Sequence, residues 1–159
     1  MSSRRLMSAA AVMAAAVGWG AIASADMSRN VITAFHGDLV ITKGDLPEGK
    51  NEKDTIARIK AERLKELTGE AREDVVYWHF HYTAFLSKVG ANQLKMEFYT
   101  SEKKFVADNR LDGIDPKSTV LSGDISINED EGLSKGKTYT IKLVTDKNAV
   151  VASTTLVMK

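Results

Sequence analysis

The sequence predicts a mainly β protein, an antiparallel sandwich or barrel with one helix inserted between its first two strands. Three observations carry that prediction. Apolar and polar residues alternate in seven separate runs, turn-forming residues separate those runs at short intervals, and a single segment, residues 51–67, changes to the helical period.

Residues 1–25 stand apart from this pattern. Arg4 and Arg5 precede a run from Leu6 to Val17 that is almost wholly Ala, Val, Met and Leu, and Ala23-Ser24-Ala25 follows. Charge, apolar core and small-residue cleavage site, in that order, describe a secretory signal peptide. The apolar run falls short of the roughly 20 residues that span a bilayer, so cleavage is expected and not retention as an anchor. Ser3-Arg4-Arg5-Leu6-Met7 fits both the general secretory and the twin-arginine routes; with no motif for a cofactor inserted before export, the former is favoured. The expected product is a single exported domain, residues 26–159, periplasmic or secreted, with no membrane span once the signal is removed.

Composition narrows the partners. Lys and Arg total 22 against 21 Asp and Glu, so bulk charge does not attract a polyanion and a nucleic-acid partner is not expected. There is no cysteine. A lipid-acceptor thiol, thiol chemistry and disulfide staples are therefore all excluded, and stability must come from the core.

The first strand is expected within Val31–Thr42, where Val31, Phe35, Leu39 and Ile41 share one parity and Ala34, His36, Asp38 and Thr42 the other. Gly37 falls on the buried parity, a place for a bulge or a close backbone approach. After the turn-rich stretch Lys43–Gly49, Asn51 caps a helix whose third residue is Asp54. Ile56, Ile59, Leu64 and Leu67 form its apolar stripe, Lys60 and Arg63 interrupt it, and Thr68-Gly69 ends it. Strict alternation then runs through Val76, Trp78, Phe80, Tyr82, Ala84 and Leu86, and again through Leu94, Met96 and Phe98. Phe105-Val106-Ala107 is a shorter strand. Leu121, Gly123, Ile125 and Ile127 make the next, followed by Tyr139, Ile141 and Leu143, and Asp146-Lys147-Asn148 turns the chain into a last strand, Val150–Met158.

The segment Leu133-Ser134-Lys135-Gly136-Lys137-Thr138-Tyr139-Thr140-Ile141-Lys142-Leu143 resembles the sixth strand of immunoglobulin and fibronectin type III domains, where a leucine, a glycine turn and a tyrosine precede alternating apolar residues. The resemblance implies a seven-stranded, antiparallel, immunoglobulin-like β-sandwich. It also implies that Tyr139 folds its hydroxyl back onto upstream backbone, a tyrosine corner, and that Trp78 is the buried tryptophan. It covers strand order and one motif; the cysteine pair of immunoglobulin domains is missing, Trp78 lies on the second strand and not the third, and the inserted helix is foreign to the pattern.

Few residues carry chemistry. His79 and His81, two apart on a strand, project from the face opposite Trp78, and His36 has the same polar parity on the first strand; three imidazoles on one face could hold Cu or Zn. The competing reading is three polar positions on a solvated sheet. Tyr77, His79, His81, Thr83 and Phe85 form an outward stripe richer in aromatics than a solvated face needs, so the helix is expected to cover it. Asn128-Glu129-Asp130-Glu131-Gly132 is acidic but lacks the spacing of a calcium loop, which leaves a solvated turn as its reading. The basic residues around the helix are interleaved with Glu48, Glu52, Asp54, Glu62 and Glu66, giving a salt-bridged solvent face. No nucleophile elbow, His-Glu-x-x-His run or phosphate loop occurs. The expectation is an exported, non-enzymatic binding or structural module without a cofactor, acting on another envelope or extracellular macromolecule. The alternative is a periplasmic Cu- or Zn-binding protein using His79, His81 and His36; a hydrolase with a spatially assembled site ranks below both.

Overall fold

The structure, a computed structural model, describes Ile22–Ala23 and residues 27–86 and 89–159. The expected signal peptide, residues 1–25, lies outside the described residues except for Ile22–Ala23. That pair forms β1, bonded antiparallel to Leu121 and Ser122.

The described chain folds into two five-stranded sheets. The first is built on β5 (Val75–Phe85), whose one edge pairs along its length with β8 (Val120–Asn128) and whose other edge is shared by β2 (Leu39–Thr42) and β4 (Glu70–Arg72). The second runs in the order β3 (Glu66–Leu67), β10 (Val150–Met158), β9 (Lys137–Thr145), β6 (Leu94–Thr100), β7 (Phe105–Leu111). Every pairing is antiparallel except that of β3 with β10. The count is thus ten strands among the described residues, not seven. The additional three, β1, β3 and β4, are only two or three residues long.

Period-two alternation decides which side chains meet between the sheets. Trp78, Phe80, Tyr82 and Ala84 of β5 share one core with Met96 and Phe98 of β6, Tyr139, Ile141 and Leu143 of β9, and Leu156 of β10. Tyr82 stands opposite Gly123 in the ladder, and a Cβ on Gly123 would come within 3.0 Å of the Tyr82 hydroxyl. The missing side chain is what lets the ring lie across β8. Burial, with the nearby Asp124 charge, pushes the Tyr82 hydroxyl above the ordinary tyrosine range, so it remains protonated.

The Tyr139 hydroxyl accepts a hydrogen bond of 2.7 Å from the backbone N–H of Ser134, five residues upstream, while its ring is buried. Gly136, at φ +85°, turns the intervening chain in the left-handed region. Tyr139→Phe keeps the ring and removes the acceptor. Because Ser134 is exposed and water can reach its N–H, the expected loss is about 1 kcal/mol in urea unfolding; an unchanged midpoint would show that the bond contributes nothing.

Two sequence expectations are corrected. Val31–Thr42 is not one strand. Arg29–Ala34 is a helix, α1, capped by Ser28, and only Leu39–Thr42 is extended. Val31 and Phe35 are four apart, a spacing that satisfies strand parity and helix repeat equally; the cap decides for the helix, and Gly37 at φ +79° turns the chain into β2. The second helix, α2, spans Glu52–Glu62 and does not reach Leu67. Its start is the expected one, with Asn51 Oδ1 accepting from the Asp54 N–H at 2.9 Å. It ends early because the next residues have sheet partners. The Leu64 N–H donates to the Ile41 carbonyl at 2.7 Å, and Glu66 and Leu67 pair with Val157 and Met158.

Candidate functional site

α1 and α2 lie against the outer face of the first sheet. Val31 of α1, Phe35 at its C-terminal cap and Ile59 of α2 pack with Val40, Phe85 and Val120 into a second apolar cluster. The Phe35 and Phe85 rings stand 5.2 Å apart. Of the aromatic stripe, Phe85, Thr83 and His81 are buried at this end of the sheet. Tyr77 is half-buried and His79 exposed, their rings stacked at 6.4 Å.

Where the helical layer meets open sheet there is a cleft of about 450 Å³. His81 and Thr83 of β5 and Ser122 of β8 form its floor, with Ser122 directly across the ladder from Thr83. One wall is Met27, Ser28 and Val31 at the start of α1; the other is the loop Asp45–Gly49 with Glu52 and Thr55 of α2. That loop is held by its own hydrogen bonds. The Gly49 N–H donates to Thr55 Oγ1 at 2.9 Å, and the Lys50 N–H to Asp54 Oδ2 at 2.8 Å. A Cβ on Gly49 would lie 2.6 Å from the Asp54 carbonyl carbon, so only glycine allows the loop to close this tightly onto α2.

His81 is buried, and its Nδ1 lies 3.0 Å from Asp124 Oδ1 on the neighbouring strand. In the neutral ring, an Nδ1–H donated to the carboxylate leaves Nε2 as an acceptor. Thr83 is 1% exposed and its hydroxyl has no hydrogen-bond partner among the described residues. At the rim, Glu52 accepts from the Asn30 side-chain amide at 2.7 Å, tying α2 to α1. That bond, with another from Ser28, holds the Glu52 carboxyl below the usual glutamate range. In Asn30→Ala the Glu52 pKa is expected to rise towards its ordinary value, read directly from a carboxyl-carbon NMR titration; an unmoved pKa would mean the tie is not made in solution.

No protein-family model and no curated protein matches the sequence. Solved structures do. The chain is similar to an immunoglobulin-like protein from Pseudomonas aeruginosa at 9% identity and a TM-score of 0.36, covering 78% of this chain and 98% of that one. A β-glucuronidase from Bifidobacterium dentium is similar over 75% of this chain but 16% of its own, at 15% identity and a TM-score of 0.32.

The residues expected from the sequence are placed as follows. Trp78 is fully buried, its indole N–H donating to the Lys159 carbonyl at 3.1 Å. His79 and His81 do share the outer face of β5, but His36 does not join them on a strand. It sits in the turn after α1, because the segment that was to carry it as a strand is helical. Among the described residues no three His, Asp or Glu side chains gather as a metal site. The acidic loop is likewise not a free cluster of oxygens: Glu129 accepts from the Val76 N–H, Glu131 from the Asn128 N–H, and Asn128 from the Asp130 N–H. It is a capped single turn, Glu129–Glu131, closed by Gly132 in the left-handed region. Along α2, Arg58 pairs with Asp54 and Arg63 with Asp38. No helix among the described residues is long and apolar enough to cross a membrane.

Sequence reasoning does not single out Asp124, Ser122 or Asp45, and it gives Glu48 and Glu52 only as members of a salt-bridged face, whereas both line the cleft without an ion-pair partner among the described residues. The available signal was the polar parity of Ser122, Asp124 and Ser126, which alternates against Leu121, Ile125 and Ile127. Which strand they would face depends on register with β5, some forty residues away.

Proposed function

We propose that this chain is an exported, non-enzymatic binding module whose scaffold is a seven-stranded immunoglobulin-like sandwich, formed by β2 and β5 to β10. In this reading the signal is removed after Ala25 and residues 26–159 act in the periplasm or outside the cell. The inserted helix, with the loops near Asp112 and Asn128, meets another macromolecule. The observation that carries the reading is the cleft at the edge of the helical layer. Its floor belongs to two long strands paired to each other along their length and its walls to short helices and a braced loop, so a sheet frame holds a rim of helix ends and loop.

Crosslinking followed by pull-down from the periplasmic fraction tests it. A specific partner, recovered with a chain whose first residue is Asp26 by N-terminal sequencing, is the expected result. A chain that keeps its first 25 residues, or yields no crosslinked partner, would count against the proposal.

A further inference from the structure

Three carboxylates stand among the polar groups of the cleft, and its other polar side chains are the hydroxyls of Ser28, Thr55, Thr83 and Ser122 and the imidazole of His81. Asp45, Glu48 and Glu52 line it, and among the described residues no Lys or Arg does. Lys43 and Lys50 flank the loop in sequence without being part of the lining. Asp45 and Glu48 have no ion-pair partner among the described residues, and all three carboxylates are on exposed residues, so they meet solvent as open charges. Glu52 is held ionised by the hydrogen bonds it accepts. Beside the floor, the Asp124 carboxylate lies 3.0 Å from His81 Nδ1 and adds a fourth negative charge close to the cleft.

A second observation points the same way. A buried hydroxyl left without a partner costs on the order of 1–3 kcal/mol, and folded chains avoid it unless something else completes the bond. Thr83 carries such a hydroxyl at 1% exposure, and Thr83 is part of the cleft floor. Both walls also carry apolar side chains, Met27 and Val31 on one and Leu46 and Pro47 on the other. Apolar side chains beside carboxylates and hydroxyls suit a ligand with an apolar stem and a cationic, donor-rich head.

We infer that this cleft takes an ammonium or guanidinium group on a short alkyl chain, the chemistry of a lysine or arginine side chain presented by a partner polypeptide. The inference rests on the binding-module reading and names what that module recognises. The alkyl stem lies along Met27, Val31 and Leu46, and the head group meets Glu48, Asp45 and the floor.

Titration of the purified protein with cadaverine, with agmatine and with a lysine-containing pentapeptide amide, followed by amide NMR, tests it. The expected result is saturable movement of the His81, Thr83 and Ser122 signals by all three, at about 1 mM or tighter, with the peptide the tightest. 1,5-Pentanediol, with the same stem and no charge, is expected to leave those signals in place. Glu48→Gln should weaken the cations about tenfold, the loss of one charge-assisted contact. Thr83→Val conserves shape, removes only an unpaired hydroxyl and so keeps the fold; it should weaken them about fivefold. Binding of pentanediol equal to that of cadaverine, cations that move no floor signal, or affinities unchanged in both variants would each overturn the inference. Free cations binding more tightly than the peptide would overturn the polypeptide source alone. A crosslinked partner whose capture ignores Glu48→Gln would leave the module reading standing and remove this one.

Discussion

Trp78→Ala is expected to lower the unfolding free energy by about 3–5 kcal/mol, the largest single effect available in the first sheet. Trp78 is fully buried and belongs to the core the two sheets share. Its indole also reaches out of the sheet, donating to the Lys159 carbonyl, which accepts from the Gly69 N–H as well at 2.6 Å. Removing the ring opens a cavity and loosens the end of β10 together. Trp78→Phe separates the two contributions, because it keeps most of the apolar volume while the Lys159 carbonyl still has Gly69; it should cost far less than the alanine. Urea unfolding with both variants gives the comparison. A near-neutral alanine would mean that β5 presents its other face to the core, and no such register is compatible with burial of Trp78, Phe80 and Tyr82 side by side.

The long strands were legible because alternation is a local signal, and β5 shows why. Three of its core residues are large aromatics and each is followed by a residue of the opposite parity, so a one-residue slip would expose Trp78, Phe80 and Tyr82 at once. The short pieces were not legible. Glu66–Leu67 reads as the last turn of an amphipathic helix, since Leu64 and Leu67 continue the α2 stripe. Its extended form is imposed by β10, which lies some ninety residues further on and supplies hydrogen bonds the sequence of α2 does not announce. Val31 and Phe35 fail for a different reason. Their spacing is common to both periods, and the deciding residue, Ser28, lies upstream of the alternating run.

The cleft was half legible for the same physical reason. Alternation placed His81 and Thr83 on the outer face of β5, and an apolar stripe in need of a cover pointed to a helical layer. What alternation cannot supply is register between strands. Asp124 becomes the partner of His81 only when Trp78 pairs with Ile127 and Tyr82 with Gly123, and that choice is made by core packing on the opposite face of the sheet. The acidic wall depends on how the loop Asp45–Gly49 folds onto α2, which rests on Thr55 and Asp54 side chains bonding backbone N–H groups. Such bonds leave no periodic trace.

Gly69→Ala is expected to cost about 1–3 kcal/mol, an overpacking penalty where most surface substitutions would be close to neutral. The backbone of Gly69 is not in the left-handed region, so alanine is conformationally allowed and the cost comes from space alone. A Cβ there would overlap the Val76 Cγ1 methyl and come within 2.8 Å of the Trp78 indole nitrogen and 3.0 Å of the Tyr77 carbonyl oxygen. The backbone cannot move aside easily, because the Gly69 N–H is bonded to Lys159 and the Lys159 N–H donates to the Leu67 carbonyl. If the indole is part of the clash, the substitution should cost less in a Trp78→Phe background, where that nitrogen is gone, and less again when Val76→Ala is added. A double-mutant cycle in urea measures the coupling. Strictly additive losses would mean that Gly69 and Trp78 do not touch, and that the close approach of the β3–β4 turn to β5 is not what seals this end of the core.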